Sequence, residues 1–240
     1  MIVKAWREDC LDRLTSTAGS AANVLHEAST IVGRLGFEYC SYVLRTPFPL
    51  AQPSVTWGST YPARWLDRYF SHDYLAIDPL VRKVSQDVLP VVWTDDLFTS
   101  QPAFWEDARA HGIRHGWALA THGKHMTSGL LSLARSHQAV TQSELSETEF
   151  KLVWLSHVIH GLIATMELRK LMPEPVRELT PRECEILRWC SAGKTADEIG
   201  KVLGISERTV NFHITNSLAK LRVANKTQAV AKALLLDMIS

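Results

Sequence analysis

Four helix-start signals follow one another in the last 60 residues, and no other feature of the chain restricts its fold as much. Thr180-Pro181-Arg182-Glu183 is a capping box with proline at the first helical position. Thr195-Ala196-Asp197-Glu198 is a second box, whose helix stops at Gly204, a residue that takes positive φ at little cost. Ser206 caps a third helix, to about Leu221, and Asn225-Lys226-Thr227-Gln228 opens a fourth. Short helices on either side of Gly204-Ile205 have helix-turn-helix spacing. At about 100° per residue, Val210, Ile214, Ser217 and Leu221 share one side of the third helix. Arg208, Phe212, Thr215 and Ala219 share the other, with Asn211 at its edge and Glu207 nearby. His213 falls toward the core edge and reads as packing. That polar side suits a DNA major groove, where Asn and Thr read base edges and Arg holds phosphate or guanine. An ordinary amphipathic surface helix would show the same stripe, and the caps favour DNA.

The chain's 240 residues are more than this unit needs and suggest two domains. Lys170-Leu-Met-Pro-Glu-Pro-Val-Arg-Glu-Leu179 is the best boundary, because Pro173 and Pro175 lack backbone donors and disfavour helix before them. The expected division is residues 1–169, a linker at 170–178, and 179–240. A net charge of +1 hides an asymmetry. Residues 176–240 hold ten Lys/Arg against seven Asp/Glu, and the remainder sixteen against eighteen, a weak hint of a polyanion partner for the C-terminal part. No apolar run is long enough to span a bilayer, and the first residues lack a signal-peptide core, so a cytoplasmic protein without membrane contact is expected. Cys10, Cys40, Cys184 and Cys190 show no C-x-x-C spacing and read as reduced thiols, mostly core.

The first domain mixes periods. Helix is expected at 21–35, 63–71, 103–111 and 146–170; in the last, Phe150, Val153, Trp154, Val158, Leu162 and Met166 mark an apolar stripe. Strands are expected at 37–45, 54–58, 89–93, 117–121 and 130–135. Strands grouped between helices suggest an α/β/α sandwich, hence an α+β chain with an all-α C-terminal part.

Leu179-Thr180-x-Arg182-Glu183, Gly193-Lys194-Thr195, Glu198-Ile199, Ile205-Ser206-x-x-Thr209-Val210, His213, Asn216, Lys220-Leu221 and Asn225-Lys226-x-Gln228-Ala229 resemble the LuxR-type helix-turn-helix domain. Phe37-Glu38-Tyr39-Cys40-Ser41, Pro47-Phe48-Pro49-Leu50, Tyr61-Pro62-x-x-Trp65-x-x-x-Tyr69, Asp78-Pro79, Trp93, Phe104-Trp105 and Gly112-x-x-x-Gly116 are similar to the autoinducer-binding domain of quorum-sensing LuxR-type regulators, a PAS/GAF-like sandwich. The resemblance implies a dimerising N-terminal domain, a four-helix C-terminal domain with its third helix in the groove and its fourth at a dimer contact, and a two-fold symmetric double-stranded DNA site. Thr195, Ser206, Arg208, Asn211, Phe212, Thr215 and Lys220 are the expected DNA-binding residues.

The ligand implied is an N-acyl-homoserine lactone, with no other cofactor and no metal. Its lactone carbonyl, amide N–H and amide carbonyl must all be satisfied once buried, because an unpaired polar group costs about 1–3 kcal/mol. By resemblance, the Trp65 indole donates to the lactone carbonyl, Asp78 accepts from the amide N–H, and Tyr61 donates to the amide carbonyl with Ser132 as helper. Tyr69 and Trp93 wall the ring and tail, and Ser41 sits near the start of the acyl chain. Tyr61, Trp65 and Tyr69 are spaced four apart and share a helix face if Tyr61 is the first helical residue; such a stripe is more often core, and Asp-Pro more often a turn.

An enzyme is the main rival. His111/His115, His122/His125 and His157/His160 lie three or four apart, but none forms H-E-x-x-H, and scattered surface histidines are the better reading. No G-x-S-x-G elbow is present, and a phosphate loop ending at Lys194-Thr195 fails because Arg188 stands where its first glycine belongs. A lactone-processing enzyme, a phosphorylated response regulator and an orphan regulator answering another small molecule remain as alternatives.

Overall fold

The computed structural model describes residues 2–47, 52–171 and 177–239. The chain divides into two compact units, residues 1–123 with 127–171, and residues 124–126 with 172–240. The first opens with helices α1 (Ile2–Ser16) and α2 (Ala21–Gly33), the latter capped by Ser20, whose side chain accepts the Asn23 N–H. Strands β1 (Tyr39–Thr46), β2 (Ser54–Ser59), β3 (Val91–Val92), β4 (His115–His122) and β5 (Ser128–Arg135) form one antiparallel sheet, in the order β2-β1-β5-β4-β3. Between β2 and β3 run α3 (Ala63–Ser71), α4 (Tyr74–Ile77) and α5 (Pro79–Gln86). Helix α6 (Pro102–Ala110) precedes β4, and α7 (Gln142–Leu171) follows β5.

Side chains alternate across a strand, so each strand feeds two cores. Cys40, Tyr42, Leu44, Trp117, Leu119, Leu131 and Leu133 point to a core closed by α1, α2 and α7. Their neighbours Tyr39, Ala118, Leu130 and Ala134 face a second core, built from Trp65, Tyr74, Leu80, Val84, Phe98, Phe104 and Trp105. Helices on both sides of one sheet give the expected α/β/α sandwich.

Three details depart from the sequence reading. The expected α7 stripe is its less buried side: Phe150 is 59% exposed, and Val153, Trp154, Val158, Leu162 and Met166 pack against the edge of the first core, partly buried. Leu152, Leu155, Ile159 and Ile163 meet the sheet instead. His160 is not a surface histidine. It is buried between the Tyr42 hydroxyl (2.8 Å from Nδ1) and that of Thr127 (3.1 Å from Nε2), and burial pushes its pKa down to about 4. Lastly, Lys170 and Leu171 continue α7 rather than opening a linker, while Pro173 and Pro175 lie outside the described residues.

The second unit holds α8 (Pro181–Ser191), α9 (Ala196–Leu203), α10 (Glu207–Leu221) and α11 (Lys226–Leu235). All four expected caps form: Thr180 and Thr195 in reciprocal boxes with Glu183 and Glu198, Ser206 on the Thr209 N–H, and Asn225 on that of Gln228. Gly204 ends α9 at φ +67°. Ile186, Leu187, Ile199, Val210, Leu221, Ala229 and Ala233 are fully buried between the helices.

Candidate functional site

Helix α3 is short and has no side-chain cap, so packing fixes it more than its own termini do. Trp65 and Tyr69 lie one turn apart on its inner face, with ring centroids 5.7 Å apart. Tyr61 is not on that helix, which starts at Ala63; it enters from the preceding bend, its backbone N–H donating to Ser59 Oγ. Its hydroxyl meets Ser132 Oγ at 2.9 Å, and burial pushes the phenol well above its ordinary range. Ser132 pairs in register with Ser41 on β1 and Ala118 on β4, so both serines stand in one row of the sheet. Ser41 Oγ donates to the Gly58 carbonyl at 3.4 Å.

Asp78 is more than a turn. Its Oδ1 accepts the Leu80 N–H at 2.8 Å and caps α5, with Pro79 at the first helical position. Its Oδ2 accepts the Tyr69 hydroxyl at 2.9 Å. Burial raises the pKa of this carboxyl, and the hydrogen bonds from Tyr69, Leu80 and Val81 oppose the rise. Burial first, and then the Asp78 charge, likewise hold the Tyr69 phenol protonated. Trp93 lies over Gly116, where a Cβ would come within 2.5 Å of both its ring and the Leu133 carbonyl; only glycine fits under it. The Trp93 indole N–H is buried with no acceptor among the described residues.

Ser41, Tyr61, Trp65, Tyr69, Asp78, Trp93 and Ser132 all line one pocket of about 920 Å³, its mouth included. Sequence reasoning missed most of its apolar wall: Val43, Trp57, Leu66, Phe70, Leu75, Phe98 and Leu130. Strand alternation alone would have found Val43 and Leu130, each two residues from a serine of the polar row. The pocket joins a wide apolar wall to a few converging polar groups, the usual composition of a small-molecule site. Among the described residues, no cluster of His, Cys, Asp or Glu could hold a metal ion.

In the second unit, Arg208, Asn211, Phe212 and Thr215 are exposed along one side of α10, opposite Val210, Ser217 and Leu221. Thr215 turns its hydroxyl back to the Asn211 carbonyl, 2.9 Å away. The Thr195 and Ser206 hydroxyls close helix starts. The Lys220 amine bonds Glu183 Oε2 at 2.7 Å, tying α10 to the cap of α8. Burial raises the Glu183 pKa, but hydrogen bonds from Lys220 and Thr180 outweigh this and leave it lowered.

Residues 20–162 match the family described as "Autoinducer binding domain", and residues 177–233 match "Bacterial regulatory proteins, luxR family". The transcriptional activator protein SolR of Ralstonia nicotianae is 40% identical over 93% of this chain and 94% of its own. The quorum-sensing regulator RhlR of Pseudomonas aeruginosa is 36% identical over 87% of this chain and 86% of its own. Among solved structures, Escherichia coli SdiA superposes with a TM-score of 0.75 at 33% identity, covering 98% of both chains. A second SdiA structure, in complex with octanoyl-rac-glycerol, gives 0.75 at 32% identity, covering 98% of this chain and 96% of that one. No described helix is long and apolar enough to cross a membrane. With a binding pocket in one unit, a helix-turn-helix in the other and relatives of this kind along nearly its whole length, the chain belongs to the LuxR-type quorum-sensing regulators, transcription regulators rather than enzymes.

Proposed function

We propose that the protein binds an N-acyl-homoserine lactone and acts as a homodimer on a two-fold symmetric promoter site in the cytoplasm. The observation that carries this reading is the convergence of all seven expected residues on one apolar pocket with a polar row across its floor. Trp65 offers an indole N–H to the lactone carbonyl, and Asp78 keeps acceptor capacity for the amide N–H beyond its bonds to Leu80 and Tyr69. The Tyr61–Ser132 pair has one hydroxyl hydrogen left for the amide carbonyl. Ser41 faces the first acyl carbons, and Tyr69 and Trp93 form the walls. On α10, Arg208, Asn211, Phe212 and Thr215 face the groove, while Thr195 and Ser206 mark helix N-termini, which favour phosphate. Leu234, exposed on α11, fits the expected dimer contact.

The test is to denature the purified full-length protein and identify the released molecule by mass spectrometry. An acyl-homoserine lactone is expected. The SdiA complex with octanoyl-rac-glycerol favours a second reading, a neutral acyl molecule with another head group; recovery of such a molecule alone would replace the first.

A further inference from the structure

Among the described residues, the pocket is buried at one side and open at the other. From Ser132 on β5 its floor passes Ser41 and Val43 on β1 and reaches Val55 and Trp57 on β2, the sheet's edge strand. Trp65, Leu80, Phe98 and Phe104 are buried in its wall. Val55, Trp57, Phe70 and Leu75 line the same pocket yet are each 48–56% exposed. The Trp57 and Phe70 rings lie 4.8 Å apart. Single exposed apolar residues are ordinary, but a group continuous with a ligand pocket marks a binding surface.

We propose that these four side chains form an open rim for an acyl tail, so that the pocket takes long-chain acyl ligands and sets no upper limit on tail length by a closed end. This rests on the acylated-ligand reading above. In the buried part each methylene raises affinity about fourfold. Along a half-exposed wall about half that free energy is gained, which is about twofold per methylene. A closed pocket would instead show an optimum, because a tail that meets the end wall overpacks it.

The experiment titrates full-length protein with N-acyl-homoserine lactones of even tail length, from butanoyl to tetradecanoyl, below their aggregation concentrations. A matched series of 1-monoacylglycerols is run beside them. The expected curve rises in steps of about 16-fold per two carbons, then in steps of about fourfold, without turning down. Trp57→Ser with Phe70→Ser flattens the shallow part, with the melting curve as the check on folding. An affinity maximum followed by loss would overturn the proposal, as would a shallow part unchanged in the double variant. So would a change in the oligomeric state of the ligand-free double variant, which would make the rim a contact between copies. If lactones fail to bind while acylglycerols show both slopes, the lactone reading falls and the rim stands. If neither series binds, both fall.

Discussion

Replacing Asp78 by Asn separates the two jobs of its carboxylate. Oδ1 caps α5 through the Leu80 N–H, and Oδ2 takes the Tyr69 hydroxyl. Asn caps a helix about as well as Asp, so the first job survives with little loss of stability. Its carbonyl oxygen stays on Leu80, which puts the amide nitrogen where Oδ2 was. Tyr69 must then accept instead of donate, and the second amide hydrogen points at the ligand's own N–H. A hydrogen bond to a charged acceptor contributes about 1.5–3 kcal/mol, so ligand affinity should fall roughly 10–150-fold. Tyr69→Phe, which removes only a neighbour of the carboxylate, should cost about 2–10-fold. The pKa direction adds a second readout. An acid whose pKa is raised on folding contributes stability below its unfolded value, and that stability is lost as pH rises toward the folded value. Ligand-free Asp78→Asn lacks this loss, so it should melt no lower than wild type at neutral pH and depend less on pH above the ordinary carboxylate range. The assay is a ligand titration of promoter-fragment binding, with a melting curve from the same preparation. An unchanged midpoint at equal soluble protein would refute the ligand role and leave Asp78 a cap alone.

The isolated unit from residue 177 onward should bind DNA with an affinity that falls steeply with salt; Arg208→Ala should weaken all sequences alike, and Asn211→Ala should relax one base pair by about 1–3 kcal/mol. Equal loss on specific and random DNA for Asn211→Ala would end its base-reading role. Lys220→Met should lower the stability of that unit by about 1–3 kcal/mol, because Glu183 is left buried without its cation. Since the Glu183 pKa is lowered on folding, this pair stabilises above the unfolded value and the wild-type advantage should vanish as pH falls through the folded one; a persistent gap in acid would count against it. His160, neutral in the fold with a pKa near 4, should make the N-terminal unit lose stability as pH drops from about 6.5 toward about 4, and His160→Gln should flatten that slope in a pH series of thermal melts.

What was legible in the sequence is what local chemistry decides. A cap binds a backbone N–H two or three residues on, so Thr180, Thr195, Ser206 and Asn225 could be read without a partner. The polar residues of the pocket were named from their resemblance to a family pattern and not from local chemistry, and Tyr61 arrives from a bend and not along the helix. Tertiary choices were not legible. Helix α7 has apolar residues on two sides, and only the sheet decides that Leu152, Leu155, Ile159 and Ile163 turn inward. Asp78-Pro79 suits a turn and a helix start equally, and the start of α5 wins once Leu80 packs. Lys220 finds Glu183 37 residues away, at a separation that no periodicity reveals.

One sheet serves two cores, one under α2 and α7 and one under α3 to α6. The second also wraps the ligand pocket, which a guest molecule would fill. The stability of the domain therefore depends in part on the concentration of that guest. A guest that binds only the folded chain, present at 100 times its dissociation constant, adds about 2.7 kcal/mol to folding. A shift of about 1–2 kcal/mol is enough to change cellular abundance several-fold through proteolysis of the unfolded fraction. The signal would then be written twice, once in the occupancy of each molecule and once in how many molecules survive to be occupied.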